Sequence, residues 1–138
     1  MIIRELVLFI TLLLSFVEAS AVCLDGRHPS PREEFGSSDA VVVAHISGHK
    51  DLTEDSHDPS GVTATLYHVK VLRRMKGTTG SSLVLRSENT SSRFPLEAGA
   101  DYLLFLHKDG KAYFVDSCGN SMNKKQAAGV ISELGAKE

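Results

Sequence analysis

Residues 40–46 read AVVVAHI, a run of β-branched and other apolar side chains that holds a single histidine. A run of this kind predicts a strand that is buried on both of its faces. The next such segment, residues 62–72, reads VTATLYHVKVL and alternates between two faces. It is long enough to bend and to take part in two sheets. The two segments together predict a mostly β domain.

Three shorter strand patterns follow these two segments. They read SLVLR over residues 82–86, DYLLFLH over residues 101–107 and KAYFVD over residues 111–116. Lys108-Asp109-Gly110 predicts a hairpin turn between the last two, because glycine accepts the positive φ that the turn requires. Five strands with a long second strand predict a five-stranded Greek-key barrel of the oligonucleotide/oligosaccharide-binding (OB) class over about residues 39–118.

A short helix is predicted on each side of the strands. At the amino-terminal side Ser30 can cap a helix, Pro31 fits its first position and Glu33 completes a capping box. This first helix is predicted over Pro31–Phe35, with Gly36 at its end. The second, carboxy-terminal helix is predicted over about residues 122–134 from apolar residues at helical spacing. These residues are Ala127, Val130, Ile131 and Leu134.

The beginning of the chain has the pattern of a signal peptide. Arg4 precedes an unbroken apolar run, LVLFITLLLSFV, over residues 6–17, and Ala19-Ser20-Ala21 supplies the small residues of a cleavage site. The run is too short for a bilayer core that needs roughly 20 residues. We therefore predict a signal peptide over residues 1–21. A membrane anchor is the alternative.

Cleavage at that site leaves one domain over residues 22–138, with Val22 as its first residue. A lipidated Cys23 is an alternative, but Val22 is not the small residue that should precede a lipidated cysteine. We therefore predict a secreted protein, which would be extracellular or, in a Gram-negative bacterium, periplasmic. No later segment is long and apolar enough to span a membrane. The remaining length suits a single core, and the prediction is a monomer.

The chain has 2 cysteines, Cys23 and Cys118, and both remain after cleavage. In an exported chain such a pair predicts one disulfide, with two free thiols as the alternative. Basic and acidic residues nearly balance in the chain, at 15 and 17. That balance argues against a nucleic-acid partner, which would be held mainly through its phosphates. The basic cluster Arg73-Arg74-Met75-Lys76 is interpreted as a solvated strand end, with a nucleic-acid groove as the alternative.

Neither a metal site nor a catalytic site is predicted. His45, His49 and His57, with acidic neighbours in a polar loop over residues 47–61, form the best metal candidate, but their spacing matches no known ligand pattern. No serine lies in a strand–turn–helix elbow, and no glycine-rich phosphate loop is present. The prediction is therefore a protein that is not an enzyme and has no cofactor. Asn89-Thr90-Ser91 is a glycosylation sequon in a predicted loop, relevant in a eukaryotic source.

Three stretches of the chain carry a resemblance to a known family. They are residues 28–42, with His28-Pro29, Phe35 and the run from Ser38 to Val42; residues 67–77, YHVKVLRRMKG; and residues 96–106, LEAGADYLLFL. In order and spacing they resemble the amino-terminal domain of the tissue inhibitors of metalloproteinases, in the netrin-like superfamily. The resemblance runs from about Cys23 to Cys118. It implies a netrin-like five-stranded barrel and a protein partner, a zinc metalloprotease.

The resemblance also implies a site at the mature amino terminus. Members of that family begin with Cys-x-Cys, and the α-amino and carbonyl groups of the first cysteine chelate the zinc of the protease. Cys118 resembles the partner of the second cysteine, so Cys23 takes that second place. The first cysteine would fall at Ala21, and the residue that enters the specificity pocket of the protease at Val22. Val22 and Cys23 are thus the implied protease contacts.

Two loops, over residues 47–61 and 87–99, would complete that contact surface. Two other family cysteines are absent, at Phe94 and Gly36, which makes the chain a one-disulfide relative. The implied function is metalloprotease inhibition. The alternative is a non-inhibitory extracellular module that binds a protein or a glycan.

Overall fold

The computed structural model describes Cys23 and residues 26–135. The predicted signal peptide over residues 1–21 and the implied contact Val22 lie outside the described residues. The described part is mostly β, with a sheet of six strands and two helices. In chain order the elements are α1 (Pro31–Ser37), β1 (Ala40–Leu52), β2 (Ala64–Lys76), β3 (Ser82–Glu88), β4 (Asp101–Asp109), β5 (Ala112–Val115), β6 (Met122–Asn123), a 3₁₀ turn (Lys124–Gln126) and α2 (Ala128–Gly135).

The strand β1 lies between two neighbours. It pairs antiparallel with β2 from Val41 to Leu52 and antiparallel with β4 from Ala40 to His45. Register shifts in the β1–β2 ladder mark irregular positions that bend the strand. β2 pairs with β3 and β4 with β5, both antiparallel, and β4 also pairs with β6. A single parallel pair, Leu85 with Tyr113, joins β3 to β5.

Both faces of β1 are buried over residues 40–46, as the apolar run predicts. Alternate residues of β1 pack in one cluster with apolar side chains of β2, β3 and β4 and with Leu96 of the β3–β4 loop. This cluster is Ala40, Val42, Ala44, Ile46, Val69, Leu85, Leu96, Tyr102, Leu104 and Leu106. The other face of β1 packs with β4 against the helices. This second cluster is Val41, Val43, Leu103, Phe105 and Ala127, flanked by Phe35 and Ile131.

Lys76 and Gly77 at the end of β2 hold α1 in place. The Lys76 Nζ donates hydrogen bonds to the carbonyls of Phe35, at 2.6 Å, and Gly36, at 2.8 Å. These bonds satisfy carbonyls at the end of the helix, which have no partner within it. Gly77 has φ +87°, and a Cβ there would lie 2.7 Å from the backbone oxygen of Asp39. The structure therefore explains both residues of the Lys-Gly pair: Lys76 caps α1, and Gly77 permits the close approach of Asp39.

Several predicted boundaries are corrected by the structure. Residues 47–52, predicted as part of a loop, continue β1 as an exposed strand paired with β2. The connecting loop is therefore residues 53–63. The helix α1 runs to Ser37 and not to Phe35. The cluster Arg73–Lys76 forms the end of β2 with Arg73 and Arg74 exposed, as interpreted, and its lysine additionally caps α1.

The carboxy-terminal helix starts later than predicted. The segment that begins at Met122 first pairs with β4, where Met122 lies opposite Leu103. The side chain of Asn123 then accepts a hydrogen bond from the backbone of Lys125, which starts the 3₁₀ turn. Only Ala128–Gly135 is α-helical. Among the described residues no helix is long and apolar enough to cross a bilayer.

Candidate functional site

The disulfide predicted from the two cysteines is present. Cys23 is bonded to Cys118, with their Cα atoms 5.8 Å apart, and the two cysteines are 95 positions apart in the sequence. Cys23 is 9% exposed. The bond ties the first described residue to the loop that follows β5. We call the surface around it, formed by Cys23, residues 26–29 and residues 116–118, the disulfide edge.

His28 and Asp116 fix the backbone on either side of the disulfide. The Nδ1 of His28 lies 3.0 Å from the carbonyl oxygen of Cys118, so it carries the hydrogen and donates it. Its Nε2 lies 3.8 Å from the Cys23 sulfur. On the other side, the Asp116 carboxylate accepts a hydrogen bond of 2.8 Å from the Cys118 backbone nitrogen. The segment that starts at Cys23 is thus held by side chains as well as by the covalent bond.

Glu34 supports the disulfide edge from within the fold. Its carboxylate, on α1, is 4% exposed. Oε2 accepts hydrogen bonds from the backbone nitrogen of Asn120, at 2.5 Å, and from the Asn120 side-chain amide, at 2.7 Å. The same amide donates to the carbonyl of Pro29 at 2.8 Å. Glu34 and Asn120 therefore join α1, the segment before it and the loop that carries Cys118.

The second oxygen of Glu34 is buried without a hydrogen-bond partner among the described residues. It lies 3.8 Å from Nε2 of His107, on β4. A Cβ at position 119 would lie 2.1 Å from it, so Gly119 permits this close approach. Glu33 and Glu34 are both acidic residues of the first turn of α1. Glu33 completes the capping box through its bonds to Ser30, which lower its pKa, whereas Glu34 is bonded to Asn120.

A groove of about 490 Å³, which we call the aromatic groove, lies beside the disulfide edge. It runs between the β3–β4 loop and β5, and its lining mixes aromatic rings with charged side chains of both signs: Arg86, Arg93, Phe94, Tyr113, Phe114 and Asp116. Phe114 is 40% exposed. Asp116 also lines a second groove, next to His28 and Cys118. The disulfide edge and the aromatic groove are therefore continuous on the surface.

The β1–β2 loop and the β3–β4 loop, which the resemblance implies as contacts, lie side by side. Arg86, near the end of β3, binds both carboxylate oxygens of Glu54, at 2.6 and 3.2 Å. This interaction lowers the pKa of Glu54. The side-chain amide of Asn89 donates to the carbonyl of Val62 at 2.7 Å. The β3–β4 loop thus contacts the β1–β2 loop on one side and lines the aromatic groove on the other.

The three histidines of the metal candidate, His45, His49 and His57, each have different neighbours in the structure. His45 Nδ1 lies 2.7 Å from a carboxylate oxygen of Asp101, whose pKa is lowered chiefly by that hydrogen bond. His49 is in β1 and stacks beside Tyr67 with ring centroids 5.9 Å apart. His57 lies in the β1–β2 loop. Within the described part of the chain, no three side chains of histidine, cysteine, aspartate or glutamate are grouped as metal ligands.

Comparison of the sequence with models of protein families gives no match, and comparison with curated proteins gives none. The family resemblance therefore stays a prediction that rests on the motifs quoted above. Of its implied contacts, Cys23 lies at the disulfide edge, and Val22 is outside the described residues.

Proposed function

We propose that this chain is an exported netrin-like module that inhibits a zinc metalloprotease through its mature amino terminus, Val22-Cys23. The observation that carries the proposal is the disulfide between Cys23 and Cys118. It anchors the residue next to the expected amino terminus at a surface edge. The β3–β4 loop lines the groove beside that edge, and binding residues are often carried by such loops.

The strand pairings support an OB-type barrel as the scaffold. Following neighbours from β1 through β2, β3, β5 and β4 leads back to β1. A closed circuit of five strands, with β3 and β5 in parallel contact, agrees with a small Greek-key barrel. The apolar cluster around Leu85 and Leu104 then fills its interior. The short helices α1 and α2 cover the outside of β1 and β4.

Inhibition by this route needs a free α-amine next to a carbonyl in a fixed geometry. Both groups can bind one zinc ion and displace the water that the protease uses for hydrolysis. The disulfide and the hydrogen bond from His28 fix the neighbouring backbone before binding, which lowers the entropy lost on complex formation. Each residue left unfixed costs about 1–2 kcal/mol when it becomes ordered. With a single cysteine as anchor, we expect inhibition about tenfold weaker, or more, than a doubly anchored terminus gives.

The experiment compares two oxidised chains against several zinc metalloproteases. One begins at Val22, and the other has two alanines before it, so that its α-amine lies beyond Ala21, the place of the first family cysteine. The proposal predicts inhibition by the first chain and a sharp loss of potency in the second, because the added residues displace the α-amine. Equal thermal stability of the two chains controls for folding. Equal potency, or no inhibition by either chain, would contradict the proposal.

A second candidate function is glycan binding without protease inhibition, and the aromatic groove favours it. Sugar rings stack on exposed aromatic faces, and arginine and carboxylate groups bind sugar hydroxyls. Phe114 is exposed, with Arg93 and Asp109 in the same lining. This candidate predicts binding to a glycan array that Phe114→Ala abolishes and that the two added amino-terminal alanines leave unchanged. Protease inhibition gives the opposite pattern.

A further inference from the structure

The sequon Asn89-Thr90-Ser91 lies at an exposed junction of two loops. All three residues are exposed, directly after the end of β3 at Glu88. The backbone nitrogen of Asn89 donates to the carbonyl of Thr63 at 2.9 Å. This contact places the sequon beside the end of the β1–β2 loop. A side chain in such a place is accessible to an attached sugar and leaves the apolar clusters undisturbed.

The side-chain amide of Asn89 is oriented in a way that is compatible with a glycan. Its oxygen accepts a hydrogen bond from Arg93, and its nitrogen donates one hydrogen to the carbonyl of Val62 at 2.7 Å. An amide nitrogen carries two hydrogens, and N-glycosylation replaces only one of them. Both contacts of Asn89 can therefore persist in the glycosylated protein.

Val62 gives a second, independent indication. Its side chain is 37% exposed, and it is one of four large apolar residues that the described part of the chain leaves exposed. Its carbonyl accepts the hydrogen bond from the very nitrogen to which a sugar would be attached. A glycan rooted at Asn89 would begin next to this apolar side chain and cover it.

We infer that Asn89 is an N-glycosylation site, and that its glycan covers the junction of the β1–β2 and β3–β4 loops. The inference rests on the proposed export, because such glycans are attached in the secretory pathway. The aromatic groove is lined by Thr90 of the sequon and by Ser117, next to Cys118. A glycan at this junction would cover part of the two loops that the resemblance implies as contacts, and the disulfide edge remains as the contact surface.

The test is expression of the full chain in a eukaryotic cell line, with the medium and the cell lysate both analysed. Peptide-N-glycosidase should lower the mass of the protein and convert Asn89 to aspartate, which peptide mass spectrometry identifies. Ser91→Ala should lose this mass shift completely, because it removes the required hydroxyl and keeps the contacts of Asn89. Thr90→Ala is the matched control and should keep the shift, since the middle residue of a sequon is variable.

Two results would overturn the inference: a wild-type chain without the enzyme-sensitive shift, or a shift that survives in Ser91→Ala. The compartment separates this failure from failure of the proposed export. Secreted protein without a shift contradicts the glycan alone. Protein found only in the cell, without a shift, contradicts both.

Discussion

The buried carboxylate of Glu34 offers a direct test of how the disulfide edge is supported. Glu34→Ala removes the two hydrogen bonds that Oε2 accepts from Asn120, at 2.5 and 2.7 Å. Hydrogen bonds to a charged group contribute about 1.5–3 kcal/mol each. Burial of a carboxylate with one unpaired oxygen offsets part of that gain. We expect Glu34→Ala to lower the free energy of unfolding by about 3 kcal/mol.

Glu34→Gln is the matched control, because it keeps an acceptor for Asn120 and removes the charge. We expect it to change the free energy of unfolding by less than about 1.5 kcal/mol. Urea unfolding of the oxidised chains measures both values. A double-mutant cycle with Asn120→Ala should give a coupling of about 1–2 kcal/mol. A loss below about 1 kcal/mol for Glu34→Ala, or full additivity with Asn120→Ala, would refute this account of the network.

Four further substitutions test other parts of the fold. Cys118→Ser opens a loop of 95 positions and should lower stability by up to about 4–5 kcal/mol; equal melting of the oxidised and reduced wild type would contradict this. Gly77→Ala should lower the free energy of unfolding, measured by urea unfolding, by about 1–3 kcal/mol or more, because the position has a positive φ and no room for a Cβ. Gly36→Ala should raise it by about 0.5–1 kcal/mol, because this position lies in α1 with open space around it. The hydrogen bond to His45 lowers the pKa of Asp101 in the folded state. The pair therefore stabilises the fold fully at pH values above the unfolded-state pKa of about 3.9. This stabilisation is lost as the pH falls through the folded-state pKa. Thermal melts of Asp101→Asn should therefore show a shallower acid dependence than those of the wild type, and identical acid profiles would count against the pair.

The apolar and covalent features of the fold could be predicted from the sequence. The run from Ala40 to Ile46 predicts a strand buried on two sides, because successive side chains of a strand point to opposite faces and nearly all of these side chains are apolar. The hairpin at Gly110 follows from its need for positive φ, which the structure has at +59°. The disulfide is predicted from the presence of two cysteines in a chain whose first residues have the pattern of a signal peptide.

The polar part of the fold could not be predicted in the same way. The end of β1, over residues 47–52, is mostly exposed, so its composition is that of a loop although its backbone pairs with β2. Glu34 looks like any acidic residue near a helix start, because its partner Asn120 is 86 positions away. The contact of Asn89 with Val62 likewise joins two separate loops. Interactions between distant polar residues leave no local pattern in the sequence.

The most direct test of the central claim is the coordination of zinc in a metalloprotease mixed with the oxidised chain that begins at Val22. X-ray absorption at the zinc edge measures the ligands of the ion without requiring crystals. The account predicts that an amine nitrogen and a carbonyl oxygen, at about 2.0–2.2 Å, together replace the one zinc-bound water and raise the coordination number by one. This increase should be lost when two alanines precede Val22. A zinc spectrum unchanged by the chain would contradict it.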